Sequence, residues 1–231
     1  MASSSWYDYS SLFKAKHIKA GLISKRKTPA DQSKSDYKFI CNKLGLDKTG
    51  LVIPEQVHSN RIRICGEAGS PVKTDGLINL NNNSIVLSIR VADCIPVYLA
   101  DPENKIIGLI HAGWRGIVDN IIAEALKNFK HLGCDPGNIT ALLGPSVRQC
   151  CFEVGPDVAE KFSDQYVKYK ENNHPYVSLQ AKVIGDLLYN GMALSNVHDA
   201  GECSVCNEEF ESYRRDGNYA GRMIAVIGFS N

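Results

Sequence analysis

Val91-Ala92-Asp93-Cys94-Ile95-Pro96-Val97-Tyr98-Leu99-Ala100-Asp101-Pro102-Glu103-Asn104-Lys105-Ile106-Ile107-Gly108-Leu109-Ile110-His111-Ala112-Gly113-Trp114-Arg115-Gly116 is the stretch on which the reading of this chain turns. Residues 95–100 form a short apolar run, Asp101-Pro102-Glu103-Asn104 is strong turn chemistry, and residues 105–110 form a second apolar run. The pattern predicts an antiparallel hairpin. If a four-residue loop closes it, Ala100 faces Lys105, and counting back along both strands sets Cys94 opposite His111. Directly opposed residues have Cβ atoms about 4.5–5.5 Å apart, close enough for two ligands of one metal or for a Cys–His catalytic pair.

Outward from the hairpin, residues 85–91 read as a β-branched strand feeding Ala92-Asp93-Cys94. On the other side, Ile117, Val118, Ile121, Ile122, Ala125, Leu126 and Phe129 recur on one face of a helix that starts near Gly116. Gly113, Trp114, Arg115 and Gly116 therefore occupy a strand-to-helix junction. Free backbone N–H groups and the positive end of the helix would make an anion site there, with Arg115 adding a guanidinium fork. The plainer reading pairs Arg115 with a surface acid and leaves Gly113 and Gly116 only to permit the turn.

Residues 51–53 and 61–65 read as strands on either side of His58, and residues 139–143, 176–179 and 224–229 as further strands. Helices are expected over 36–44, 156–165 and 180–191, and the polar stretch 25–34, including Lys25-Arg26-Lys27, reads as a solvated, disordered loop. The expected fold is α/β: a mixed-sheet α/β/β/α sandwich forming a single domain over residues 1–231.

Charge excludes several classes of partner. Twenty-six Lys and Arg nearly balance 25 Asp and Glu, so no field draws nucleic acid or an anionic membrane. No apolar run approaches the roughly 18 residues of a membrane span, and the N-terminus lacks the pattern of a signal peptide, so a cytoplasmic protein is expected. Its eight cysteines then read as reduced thiols. Cys41, Cys65 and Cys134 read as small buried hydrophobes. Cys150-Cys151 are adjacent and poorly placed to bond each other. Cys203-Ser204-Val205-Cys206 has the spacing of half a zinc knuckle, but no second pair follows it, so a structural role is the expectation.

The motifs together resemble a known family. Gln56-Val57-His58, Ala92-Asp93-Cys94 before Pro96-Val97, Lys105 through Gly116, Leu143-Gly144-Pro145-Ser146 and Phe152-Glu153-Val154-Gly155 follow the family's order. Cys203 and Phe210-x-Ser212-Tyr213-Arg214-Arg215-Asp216-Gly217 through Gly221-Arg222-Met223 complete the pattern. The chain resembles the laccase-domain family, whose members carry the labels polyphenol oxidase, purine nucleoside phosphorylase and peptidoglycan editing factor. The match runs from about Leu51 to the end. At the N-terminus the family has Ser/Thr-Arg-x-Gly-Gly-x-Ser, and this chain has His17-Ile18-Lys19-Ala20-Gly21-Leu22-Ile23-Ser24, without the arginine and paired glycines expected in the ligand pocket.

What the resemblance implies is a zinc held by His58, Cys94 and His111. Three N and S ligands would leave one tetrahedral position open for chemistry. Only the resemblance links His58 to the other two. Implied substrates are purine nucleosides and phosphate: phosphorolysis of adenosine, inosine and methylthioadenosine, with deamination of adenosine as a second activity. Asp93 would orient a ligand or move a proton, and Trp114 and Arg115 would bind substrate. A multicopper oxidase needs about ten histidines, many as His-x-His. This chain has six and no such pair, which leaves copper only as an alternative occupant of the one site. Two other readings stay open: a metal-free cysteine hydrolase or deamidase with Cys94 as nucleophile and His111 as base, and a cell-wall editing factor. Oligomeric state is not legible.

Overall fold

The computed structural model describes residues 5–25, 34–80, 84–171 and 173–230. Alternation of apolar side chains builds two sheets face to face. The first contains β1 (Ser5–Asp8), β2 (Ile18–Lys25), β3 (Leu51–Val52), β6 (Val86–Val91) and β13 (Met223–Phe229), ordered β1-β2-β13-β6-β3. The second contains β4 (Ile62–Ile64), β5 (Gly76–Leu80), β7 (Ile95–Asp101), β8 (Ile106–Ala112), β9 (Thr140–Leu143) and β12 (Val197–Asp199), ordered β12-β9-β7-β8-β5-β4. Both mix parallel and antiparallel pairs. A ribbon of β10 (Val167–Tyr169) and β11 (Pro175–Val177) stands apart.

The buried side chains fall into three layers. Leu87, Ile89, Val91, Tyr98, Ile107, Leu109, Ala225 and Ile227 fill the space between the sheets. Val97, Leu99, Ile110 and Ile95, of opposite parity, meet α3 (Ile121–His131) and α5 (Leu179–Tyr189) on the outer face of the second sheet. Ile224 and Val226 meet α1 (Lys34–Leu44) outside the first. The result is the expected mixed-sheet α/β/β/α sandwich, and its period-two alternation sends Cys94 and His111 toward the gap between the sheets.

The hairpin is present, with a corrected register. His111 pairs with Pro96, Ala112 with Ile95, and Asp101 with Ile106, so Cys94 lies diagonal to His111, one step beyond the strand. Asp101, read as the first turn residue, is instead the last strand residue. Its Oδ1 accepts the N–H groups of Glu103 and Asn104, which moves the turn one position along, to residues 102–105. Because the partner of each residue shifts by two, every side chain keeps its face, and the Cys94 and His111 side chains stay on the same side.

The helix after the hairpin is also corrected. It is two helices: α2 (Trp114–Val118), capped by Gly113, and α3, separated by Asp119 and a left-handed Asn120 at φ 63°. Apolar spacing runs through the break and hides it. With only five residues, α2 carries little dipole, so the anion site expected from a long helix is weakened. The 156–165 helix shrinks to α4 (Pro156–Ala159) and a single 3-10 turn, and α6 (Tyr213–Asp216) is additional. Strands β1, β2, β5, β10 and β12 were outside the sequence expectation. The loop expected over 25–34 falls largely on residues 26–33, outside the described residues. No described helix is long and apolar enough to cross a membrane.

Candidate metal centre and its cleft

A single carboxylate organises the centre. Asp75 precedes β5 and is fully buried, and its two oxygens accept N–H bonds from Val57 (3.2 Å), His58 (2.9 Å) and Ser59 (2.7 Å), plus the Ser59 hydroxyl (2.8 Å). Those donors wrap the 57–59 turn around the carboxylate and hold His58 in the left-handed region at φ 61°. The same carboxylate bonds His111 Nδ1 at 2.8 Å, while the His111 amide donates to the Asp75 carbonyl at 2.7 Å. Burial would raise the Asp75 carboxyl, but the bonds from His111 and Ser59 override it and hold it at about 2. Asp75 thus sets the positions of two histidines distant in sequence.

One donor atom from each of His58, Cys94 and His111 lies within 4.8 Å of the other two. The imidazole rings meet edge to face, with centroids 4.8 Å apart. Asp75 occupies Nδ1 of His111, which leaves Nε2 for the shared centre, the arrangement that fixes a metal-binding tautomer. Burial would raise the Cys94 thiol, yet the imidazoles of His111 and His58 bring it down to about 6. Burial opposes charge on His111, but the Cys94 thiolate and Asp75 push it up to about 9. Two nitrogens and one thiolate at this spacing fit a zinc ion with an open fourth position. Copper suits the same donors.

The glycines of the junction act by absence. A Cβ on Gly113 would lie 3.0 Å from His58 Cδ2 and 3.1 Å from Cys94 Sγ, and one on Gly116 would lie 2.8 Å from the Ser59 carbonyl. Trp114 and Arg115 line the cleft above the centre, with the Arg115 guanidinium stacked 4.3 Å over the indole. Asp93, expected to orient a ligand or transfer a proton, has other partners. It lines the cleft, and its Oδ1 accepts from the Ser204 hydroxyl and its Oδ2 from the Arg214 amide, each at 2.7 Å, so it ties the C-terminal loop to the cleft, while the bond to His111 Nδ1 comes from Asp75.

The cleft measures about 970 Å³ and brings together residues the sequence reading did not assign to it. Gln56, Arg90, Phe152, Tyr213, Arg214 and Arg222 share its lining with His58, Cys94, His111, Trp114 and Arg115. Arg214 and Arg222 belong to the C-terminal motif already singled out, whose signal was density of arginine without a position. Arg215 in that motif turns away to the carbonyls of Ser204 and Phe210 and to Asp216.

The chain is similar to several known proteins. The chain is 33% identical over 181 residues to the purine nucleoside phosphorylase of Aquifex aeolicus, covering 78% of this chain and 84% of the relative. It is 31% identical over 201 residues to adenosine deaminase RL5 from an unknown prokaryotic organism, covering 80% and 77%. The crystal structure of the hypothetical protein YfiH from Bacillus licheniformis superposes with a TM-score of 0.85 at 26% identity, over 91% of this chain and 92% of that one. A sequence profile described as multi-copper polyphenol oxidoreductase laccase matches residues 24–230, and on that match the chain belongs to this family.

Proposed function

We propose that His58, Cys94 and His111 hold zinc and that the protein is a purine nucleoside phosphorylase acting on adenosine, inosine and methylthioadenosine, with adenosine deamination as a second reaction. The observation that carries this reading is the cleft's composition: four arginines, Arg90, Arg115, Arg214 and Arg222, and three aromatic side chains, Trp114, Phe152 and Tyr213, around one His/Cys/His centre. Guanidinium groups suit phosphate, and aromatic faces suit a purine. When bound, zinc supplies Lewis acidity at the floor of the cleft.

In phosphorolysis the glycosidic C–N bond breaks, a C–O bond to phosphate forms, and the departing base takes up a proton. The arginines hold the phosphate against the sugar and offset its charge, and Asp75 keeps His111 in the required tautomer throughout. In deamination water attacks purine C6 instead of the sugar carbon, the C6–N bond to the exocyclic amine breaks, and the amine takes up a proton and leaves as ammonia. The test is release of free base from inosine with and without inorganic phosphate. Base release should require phosphate, and Arg214→Ala should raise the KM for phosphate by about tenfold or more, as expected for loss of a charge-assisted bond. Phosphate-independent release, or an unchanged KM for phosphate in the variant, would reject the assignment.

One observation favours a second reading. The lowered Cys94 thiol beside His111 also satisfies a cysteine hydrolase. In that case alkylation of Cys94 would be fast in the protein as purified, whereas a zinc-ligating thiolate would react slowly.

A further inference from the structure

Outside the His/Cys/His centre, the chain gathers four of its eight cysteines at one point. One donor atom from each of Cys150, Cys151, Cys203 and Cys206 lies within 4.8 Å of the others. The Cys151 and Cys206 sulfurs stand 3.3 Å apart, those of Cys150 and Cys203 3.6 Å and those of Cys150 and Cys206 3.7 Å, and all four are free thiols. A zinc–sulfur distance of about 2.3 Å puts the sulfurs of a tetrahedral site about 3.8 Å apart, so these side chains stand close to the spacing that zinc requires. The second pair that the Cys203/Cys206 spacing lacked precedes it in the chain.

The surroundings suit a metal better than plain packing. Cys150 and Cys206 are exposed, where a thiol gains nothing from core burial. Backbone N–H groups of Cys206, Arg148 and Val205 point at the Cys203 sulfur. Four thiolates on a divalent ion leave a net negative charge. Arg148 interacts electrostatically with Cys203 and Cys150, and the Lys170 ammonium sits on the Cys150 carbonyl at 2.7 Å.

We propose that Cys150, Cys151, Cys203 and Cys206 form a second, structural zinc site that clamps the loop after β9 to the C-terminal loop. The clamp has a target. The Ser204 amide bonds the Ser146 carbonyl at 3.0 Å, and the Ser204 hydroxyl bonds Asp93, which also holds the Arg214 amide beside the cleft. Closing four ligands around one ion therefore fixes the wall that carries Arg214. A thiolate-only set selects zinc over oxygen-preferring cations.

The test is elemental analysis of the full chain purified under reducing conditions without added metal. Wild-type protein should carry about two zinc ions, a Cys150→Ser, Cys206→Ser double variant about one, and His58→Ala about one. Because the double variant could misfold, thiol mapping of the wild type provides an independent measurement. Cys150 and Cys206 should alkylate slowly as purified and rapidly after a strong chelator. The S→Co(II) charge-transfer absorption of the cobalt-substituted protein should drop by most of its intensity in the double variant. Wild-type protein with about one zinc that is lost entirely in His58→Ala would overturn the proposal. So would rapid alkylation of Cys150 and Cys206 in the protein as purified, or disulfides joining these four cysteines.

Discussion

Asp75 is the residue on which the candidate centre depends. An asparagine there offers one acceptor oxygen where the carboxylate accepts from Val57, His58, Ser59 and His111. We expect Asp75→Asn to weaken metal binding at His58, Cys94 and His111 by about 10–100-fold, measured by competition against a chelator of known affinity. Unchanged affinity would show that the histidines hold their positions without it. Gly113 supplies a second test. Its missing Cβ is the room in which His58 Cδ2 and Cys94 Sγ sit, so Gly113→Ala should cost about 1–3 kcal/mol by overpacking and should also lower metal affinity. A variant with full stability and full affinity would contradict the described packing.

At the scale of elements, the β7–β8 hairpin and its neighbours position the centre, and α3 backs them. Phe129 on α3 is fully buried, and Gly108 on β8 leaves the space it fills, since a Cβ there would lie 3.0 Å from the ring. Phe129→Ala should therefore lose about 3–5 kcal/mol in urea unfolding while leaving the metal content of folded protein unchanged. The hairpin was legible because apolar alternation and a Pro-containing turn are local signals. Its register was not, because Asp101 uses its carboxylate to cap the turn from a strand position. Asn120 breaks the helix without interrupting the apolar spacing. Asp75 carried no readable signal: its partners lie 16 to 18 and 36 residues away, and only the sheet brings them together. The cysteine cluster escaped for the same reason, since Cys150 and Cys203 are 53 residues apart.

Over the whole molecule, the sandwich places its chemistry at one end of the gap between sheets and uses the C-terminal loop as a wall. Asp93 is the tether, so Asp93→Asn should loosen the wall without removing a metal donor. We expect about a tenfold rise in KM for nucleoside or phosphate with unchanged zinc content, in line with the loss of about 1–3 kcal/mol at a charged hydrogen bond. Loss of metal in this variant would instead place Asp93 in support of the ligands. Turnover should depend on a metal held by His58, Cys94 and His111. The most direct measurement is phosphate-dependent base release from inosine by wild-type protein before chelation, after chelation and after readdition of zinc. Chelation should abolish activity and zinc should restore it; activity that survives chelation, with a covalent adduct on Cys94, would make Cys94 the nucleophile and rule out the metal's role.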